Sequence, residues 1–301
     1  MRTKRRTGVF GAILAALAIV ATSCGSGGGA NTIKVGSTNF TEQEILGEIY
    51  AQALEANGFT VERKFKLGAR DIVEPALESG EIDLYAEYAG TVLEYLNNGA
   101  GEASGDAAAT IDKLRQRFAD RGVTVLDYAP AVDANALVVT QETAAKYGLT
   151  KISDLASIAG DLVFGGPPEC PKRPFCLIGF QDTYGLNFKE FKPLDTGGPI
   201  TVAALENGEI DVGLLFSSDG AIAARNFVVL QDDKYLQPAD NIVPVVRTAV
   251  NSQKLDDVVN SVSAKITTSV LSQMNKSVNI DKEDASTVAH DWLVANGFIS
   301  G

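Results

Sequence analysis

The first regular pattern of apolar and polar positions predicts a short strand followed by an amphipathic helix. Residues 33–36 form the apolar strand. Thr41 with Glu44 three residues later matches a capping box, which predicts that a helix begins there. Gly58 provides a left-handed stop, and the apolar face of the helix consists of Ile45, Leu46, Ile49 and Ala53. The intervening loop therefore presents free backbone N–H groups at a strand end, where open α/β sheets bind ligands.

A nine-residue pattern occurs twice along the chain. The segment ALESGEIDL at 76–84 is echoed by ALENGEIDV at 204–212, 128 positions later. Each copy has the form of a helix end, a glycine stop and the start of a buried strand. The echo predicts two similar α/β lobes whose strand ends, near 85–91 and 216–220, face a shared cleft. The alternative is convergence on a common helix-stop pattern.

The order of the predicted elements divides the chain into two lobes. The chain is expected to cross between them at 132–137 and to return at 238–244, so that lobe 1 comprises 33–133 plus 242–301 and lobe 2 comprises 134–241. A helix is predicted from Asp106, with Ile111, Leu114 and Phe118 on one face. Residues 251–296 have a mostly helical pattern and are expected to pack on the first lobe.

The N-terminus has the pattern of an export signal. Four basic residues within positions 1–6 precede an apolar run at 9–20, which is shorter than the ~20 residues that a membrane span needs. The run ends at Ala21-Thr22-Ser23-Cys24, which resembles a bacterial lipobox, so residues 1–24 are predicted to be a lipoprotein signal peptide with Cys24 as the lipidation site. A glycine-rich tether follows at 25–32. A short membrane anchor and ordinary signal cleavage are the alternatives.

The charge and the cysteine content of the chain limit the kinds of partner that the protein can bind. Removal of residues 1–24 takes away four of 26 basic residues and none of 38 acidic residues, which changes the formal net charge from −12 to −16. Nucleic acid and anionic membrane surfaces would repel such a protein. In an exported protein, Cys170 and Cys176 are expected to form a disulfide. No metal site or cofactor is predicted, because the single histidine, His290, lies far from this pair and is expected to be a surface or packing residue.

No motif for catalysis emerges from the sequence. Walker, dinucleotide-binding, HExxH and nucleophile-elbow patterns are not present, and one histidine leaves little room for the usual general bases. Carboxylates are abundant, but nothing singles out a glycosidase-like pair. We therefore expect no enzymatic activity, with a hydrolytic or adhesive lipoprotein as the alternative.

Six segments along the chain form a recognisable series: GSTNFTEQ (36–43), GEIDLYAEYAGT (80–91), YGL (184–186), SDG (218–220), LQDDK (230–234) and PVV (244–246). In this order they resemble a known family, the osmoprotectant (glycine betaine/choline/carnitine) substrate-binding proteins of ABC importers. The resemblance implies an α/β fold of the type II periplasmic-binding-protein class, with two lobes joined by a two-strand hinge and a ligand cleft between them. It also implies a monomeric receptor on the extracytoplasmic face of the cell membrane, which delivers a small solute to an ABC permease.

The resemblance also implies ligand-binding residues. Tyr88 and Phe216 match aromatic positions of a cage that holds a quaternary ammonium by cation–π attraction, and Thr91 matches a neighbouring polar contact. Arg173 falls where the family places an arginine that pairs with the ligand carboxylate. The alternatives are that Tyr88 and Phe216 are ordinary core aromatics and that Arg173 is a surface charge.

Three positions depart from the family pattern. Thr38 replaces a lysine, and Asn135 and Asp240 each replace a cage tyrosine. Loss of two aromatic contacts would weaken betaine binding by about one to three orders of magnitude. Asp240 could pair directly with a cation, and Asn135 could bind a more polar ligand, so a hydroxylated or aromatic cargo is the alternative to a quaternary amine. For Asn135 and Asp240, the alternative to ligand binding is a structural role in a hinge or turn. For Thr38, the alternative is that it acts only in the hydrogen bonds at the start of the helix.

Overall fold

The structure, a computed structural model, describes residues 32–195 and 197–301. Within them the strands are β1 (Thr32–Gly36), β2 (Thr60–Lys64), β3 (Leu84–Tyr88), β4 (Val123–Val125), β5 (Asn135–Val139), β6 (Val163–Gly166), β7 (Glu190–Pro193), β8 (Val212–Phe216), β9 (Val228–Val229) and β10 (Ile242–Arg247). The helices are α1 (Thr41–Ala56), α2 (Arg70–Ser79), α3 (Ala89–Leu96), α4 (Ala107–Ala119), α5 (Gln141–Tyr147), α6 (Leu177–Tyr184), α7 (Pro199–Glu206), α8 (Gly220–Ala224), α9 (Gln253–Ser263), α10 (Thr268–Asn279) and α11 (Ala285–Ala295). The predicted signal peptide, Cys24 and all of the tether except Thr32 lie outside the described residues.

Two mixed five-stranded sheets organise these elements. The first has the order β2-β1-β3-β10-β4, and the second has the order β7-β6-β8-β5-β9. In each sheet four strands point the same way, and the fifth, which follows a crossover between the lobes, lies antiparallel between two of them: β10 between β3 and β4, and β5 between β8 and β9. The two-lobe α/β fold expected from the sequence is confirmed. With our proposed lobe boundaries, each strand lies entirely within one of the two lobes, except that Thr32 of β1 precedes the start of lobe 1.

The repeated sequence forms the same structural unit in both lobes. Helices α2 and α7 lead through glycines with positive φ, Gly80 (79°) and Gly208 (67°), into β3 and β8. Asp83 and Asp211 each donate a backbone hydrogen bond to the neighbouring strand and accept one from it with a carboxylate oxygen, at 2.7–3.0 Å. The predicted relationship between the lobes is confirmed, and the recurring aspartate has a structural role in both.

Two antiparallel segments connect the lobes. Val132 pairs with Asn241, and Asp133 N–H donates to the Asp240 carbonyl at 3.0 Å. The chain passes between the sheets in both directions at this point, as the type II arrangement requires.

The C-terminal helices cover the first lobe. Apolar residues of α9, α10 and α11 share a core with α1, which confirms the expected packing. Helix α10 also meets α8 of the second lobe, where a Cβ on Gly220 would lie 2.4 Å from the backbone nitrogen of Lys276. Close backbone approach at Gly220 therefore sets the contact between a lobe 1 helix and lobe 2.

Several local predictions have clear outcomes. The disulfide is present, with the Cα atoms of Cys170 and Cys176 5.2 Å apart, and His290 is exposed. Helix α4 begins after Asp106, whose carboxylate accepts a hydrogen bond from Ala109 N–H. The prediction of a capping box at Thr41 is wrong. Phe40 is the N-cap residue of α1 and provides no side-chain cap, and the Thr41 hydroxyl instead donates to Asn279 Oδ1 on α10. None of the helices in the described ranges is long and apolar enough to cross a membrane.

Substitution Gly220→Ala tests the contact between α8 and α10. The new methyl group would overlap the Lys276 backbone, so we expect the free energy of unfolding to fall by about 1–3 kcal/mol in denaturant titrations. Gly105→Ala is the matched control, because the nearest atom to its new Cβ, Tyr235 Cβ, is 4.0 Å away. Equal stability of the two variants would contradict this account of the lobe contact.

Candidate functional site

The loop between β1 and α1 is held by Ser37 and buries Thr38. Ser37 Oγ accepts a hydrogen bond from Lys66 N–H and donates one to the Thr38 carbonyl, both at 2.9 Å. Thr38 is 8% exposed, and its Oγ1 has no hydrogen-bond partner in the described part of the chain. The Thr38 hydroxyl is thus not used in helix entry, in contrast to the alternative that the sequence left open.

Three aromatic rings come together where the strand ends of the two lobes meet. The Phe40 ring centroid lies 6.1 Å from that of Tyr88 in the first lobe and 6.4 Å from that of Phe216 in the second. The interplanar angles are 24° and 27°, so the three rings are roughly parallel. The structure therefore brings both predicted aromatic residues close to Phe40, which sequence reasoning did not assign to the site.

Tyr88 and Phe216 occupy equivalent positions in the two lobes. Each is the last residue of its central strand, β3 or β8, and each follows the repeated aspartate, Asp83 or Asp211, by five residues. The internal repeat thus supplies one aromatic ring from each lobe.

A buried polar network contacts the Tyr88 hydroxyl and joins the lobes. The Ser218 hydroxyl is 2.5 Å from Glu42 Oε2 and 2.7 Å from Asp133 Oδ1. Glu42 also accepts hydrogen bonds from Tyr88 OH at 2.8 Å and from Asn275 Nδ2 at 2.7 Å. All five residues are buried, so the network connects α1, β3, the crossover, the loop after β8, and α10 in a site closed to water.

This geometry requires an extra proton. A hydroxyl carries one hydrogen, so Ser218 can donate to only one of the two carboxyl groups, and the other must be protonated and donate to Ser218 Oγ. Burial raises the pKa of both Glu42 and Asp133, and their mutual proximity raises that of Asp133 further. Since Glu42 receives two further side-chain donors, we place the proton on Asp133.

A second hydroxyl lies between two carboxyl groups in the first lobe. Tyr85 OH is 2.7 Å from Glu74 Oε2 and 2.8 Å from Glu87 Oε1. Arg70 forms a bidentate ion pair with Glu87, in which both N–O distances are 2.8 Å. Burial raises the pKa of Glu74 to about 7, so Glu74 is the group that can hold the proton here.

Thr91 and Asp240, both predicted site residues, are in direct contact. Thr91 N–H donates to Asp240 Oδ1 at 2.7 Å, at the start of α3, and Arg70 Nη2 donates to Thr91 Oγ1 at 2.9 Å. Burial raises the pKa of Asp240 to about 7, although the Thr91 N–H and the charge of Arg70 lower it. Asp240 therefore has a local structural contact with Thr91 at the start of α3.

Comparison with known proteins identifies the family. Residues 31–295 match the family model described as the substrate binding domain of the ABC-type glycine betaine transport system. The chain belongs to this family. Over 89% of its length it is 30% identical to the glycine betaine-binding protein YehZ of Escherichia coli (strain K12), of which the match covers 92%. A carnitine transport binding protein of Listeria monocytogenes, OpuCC, is 27% identical over 99% of each chain.

A solved structure supports the same assignment. The crystal structure of a glycine betaine/carnitine/choline ABC transporter protein superimposes with a TM-score of 0.80 at 26% identity, covering 88% of this chain and 99% of that one. The resemblance, the fold class and the transport role predicted from the sequence are thereby confirmed. The family is one of transport receptors and not of enzymes, so a hydrolytic or adhesive lipoprotein is not favoured.

Two further predicted ligand-binding residues, Asn135 and Arg173, make their side-chain contacts elsewhere in the substrate-binding domain. Asn135 Nδ2 donates to the Phe175 carbonyl at 3.0 Å and to Gln237 Oε1 at 3.3 Å, which fixes the disulfide loop to the returning crossover. The Arg173 side chain is 64% exposed and pairs with Glu169 at 3.3 Å. The structure thus shows hinge and surface contacts for these two, and their ligand-binding roles stay predictions.

The buried network has a predictable pH dependence. Because the native pair binds a proton that unfolded carboxyl groups, with pKa near 4, release, its contribution to stability is present at low pH and is lost as pH rises through the raised native pKa. Asp133→Asn keeps a donor to Ser218 but cannot titrate. We expect the wild type to lose free energy of unfolding relative to this variant as pH increases, by up to about 1.4 kcal/mol per unit.

Denaturant titrations at intervals from pH 5 to 8 measure this difference. Asp182→Asn, which removes an exposed carboxylate of α6 outside the network, is the matched control. If the stability difference between Asp133→Asn and the wild type does not change from pH 5 to 8, Glu42 and Asp133 do not share a proton.

Proposed function

We propose that this receptor binds a quaternary amine between its lobes and presents it to the permease of an ABC importer. The observation that carries the proposal is the aromatic group Phe40, Tyr88 and Phe216, which combines rings from both lobes at equivalent strand ends. Aromatic faces attract a desolvated quaternary ammonium by cation–π interaction. The names of the relatives in Escherichia coli and Listeria monocytogenes, for glycine betaine and carnitine, are consistent with this cargo.

The predicted polar residues complete the proposed site. The unpartnered hydroxyl of Thr38 offers a hydrogen bond, and Asp240 offers a negative charge when deprotonated. Thr91 holds Asp240 through its N–H, while its hydroxyl binds Arg70 and the Tyr88 carbonyl. Asn135 is within the same strand pair as Phe216, since the two residues are register partners in β5 and β8. Arg173 would reach a ligand carboxylate only by leaving Glu169.

Closure is the proposed mechanism. A ligand that touches rings of both lobes favours the closed arrangement by its higher affinity for that state, and the permease then recognises the closed receptor. The α8–α10 contact and the Ser218 network both join lobe 1 to lobe 2 in this arrangement, so they stabilise the apposition of the lobes. No bond in the cargo is made or broken.

Substitution Phe216→Ala tests the aromatic site. Removal of one ring should weaken binding of a quaternary amine by about 0.5–2 kcal/mol, or roughly 2- to 30-fold in Kd, as measured by isothermal titration calorimetry. Tyr147→Ala, at a partly exposed aromatic position on α5, should bind like the wild type. Binding of a hydroxylated or aromatic solute, with no response to quaternary amines, would contradict the proposed cargo and support the alternative one.

We also propose that the receptor is a monomer held at the membrane through acylated Cys24. The lipobox-like sequence and the extracytoplasmic position of the family support this anchor. The mature chain should incorporate labelled palmitate, and Cys24→Ala should abolish incorporation, whereas the double variant Cys170→Ala/Cys176→Ala should retain it. A mature N-terminus other than Cys24 in mass spectrometry would contradict the anchor.

A further inference from the structure

The internal repeat extends to the exposed side of two helices. Ile72 of α2 and Ile200 of α7 are 128 positions apart, the same spacing that relates the two copies of the repeat. They are 54% and 60% exposed, and no other isoleucine, leucine or valine in the described ranges is as exposed. A single exposed aliphatic residue is ordinary on a protein surface. Two at equivalent positions of the two lobes have a common cause.

The exposed faces of these helices match along their length. Each carries an isoleucine in the first turn, an apolar residue in the middle and a glutamate in the last turn: Ile72, Pro75 and Glu78 on α2 (the α2 face), and Ile200, Ala203 and Glu206 on α7 (the α7 face). Glu78 pairs with Arg121 at 2.6 Å, and Glu206 pairs with Arg225 at 3.4 Å. Because an arginine of the same lobe balances each glutamate, the apolar residues are what each face offers to another molecule.

Folding of the lobes does not explain this match. The buried sides of α2 and α7 correspond because each packs on the core of its own lobe, through Ala76 and Leu77 in one and Ala204 and Leu205 in the other. An exposed isoleucine loses little contact with water on folding, so it adds little to the stability of its lobe. Burial against a partner protein would supply the missing apolar contact.

In the first lobe, the loop before α2 links Ile72 to the aromatic group. A Cβ on Gly68 would lie 3.0 Å from Ile72 Cγ1, so the isoleucine packs directly on this loop. The Gly68 carbonyl accepts a hydrogen bond at 3.0 Å from the N–H of Asn39, the neighbour of Phe40. The α2 face therefore begins one loop away from the first ring of the proposed site.

The second lobe has the corresponding arrangement. A Cβ on Gly197 would lie 3.0 Å from Cδ2 of the Phe216 ring, and Ile200 follows Gly197 by three residues. Each face thus starts beside the aromatic residue of its own lobe. When the lobes move relative to each other, the two faces move with the two walls of the site, so their separation depends on closure.

We propose that the α2 face and the α7 face are the two surfaces by which the receptor docks on its permease, with Ile72 and Ile200 inserted into apolar recesses of that membrane protein. This inference rests on the proposed function and goes beyond it by assigning the surface that the permease recognises. The matched faces suit a permease with two equivalent subunits or halves, one for each lobe. Such a permease prefers the closed receptor, because one separation of the faces fits both recesses.

The known role of the chain and its charge favour this partner. The chain is the substrate-binding domain of a transport system, so a permease is the protein to which it must deliver its cargo. An excess of acidic residues, 38 against 26 basic ones, opposes docking of these faces on an anionic membrane surface. A second copy of the chain is the remaining occupant, and the experiment distinguishes it.

Photo-crosslinking in cells that carry the importer tests the assignment. The full-length receptor is produced with Ile72→p-benzoylphenylalanine or Ile200→p-benzoylphenylalanine, and cross-linked products are identified by mass spectrometry. We expect both positions to capture the membrane-spanning permease subunit of the importer. Tyr147→p-benzoylphenylalanine, at a 36% exposed aromatic position on α5, is the matched control and should not capture it.

Uptake of labelled glycine betaine measures the contribution of each face. Ile72→Glu and Ile200→Glu place an acidic residue in the first turn of a helix, where the helix dipole favours it, so both variants should fold. We expect each to lower uptake at least about tenfold, while the Kd of the purified variant in calorimetry stays within about twofold of the wild type. Tyr147→Glu should change neither quantity.

The outcomes separate this inference from the proposed function. Wild-type uptake in both glutamate variants, or a cross-link to a second receptor copy in place of the permease, would overturn the docking surface while the proposed function stands. Absence of a cross-link at both positions would do the same. If the purified wild type binds no quaternary amine, the proposed cargo is wrong, and the cross-linking result still decides the docking surface because it does not depend on which cargo is carried.

Discussion

The structure depends on how buried carboxyl groups are satisfied where the two lobes meet. A charged carboxylate removed from water is costly unless it gains hydrogen bonds or a partner charge. In two places the protein solves this with one hydroxyl between two carboxyl groups, Ser218 in one and Tyr85 in the other. Each arrangement holds a proton, and the Ser218 arrangement also links the lobes.

Both aromatic walls of the site are attached to the Ser218 network. Tyr88 donates its hydroxyl hydrogen to Glu42, which fixes the ring in the first lobe. Phe216 lies two residues before Ser218, so the second ring is positioned by the same contacts. The internal repeat explains why the rings correspond: Asp83 and Asp211 anchor equivalent strands, and each strand ends at an aromatic residue. The pairing of one ring from each lobe is thus a consequence of the duplicated lobe architecture.

Local sequence patterns predicted the fold well, because they act over short stretches. The echo at 76–84 and 204–212, the helix after Asp106 and the disulfide pair all depend on neighbouring residues, and all are present. The capping box failed because Asn279, 238 residues away from Thr41, competes for its hydroxyl. The network of Glu42, Asp133, Ser218 and Asn275 likewise has no local signal, since the tertiary fold alone brings these residues together. Phe40 belongs to the matching segment 36–43, but its contacts with rings of both lobes depend on the apposition of the lobes.

A crystal structure of the protein grown with choline would test the central claim most directly. The account predicts that the ligand lies between the lobes, with its trimethylammonium group against the rings of Phe40, Tyr88 and Phe216. Choline bound outside this junction, or bound at it without contact to rings of both lobes, would contradict the account.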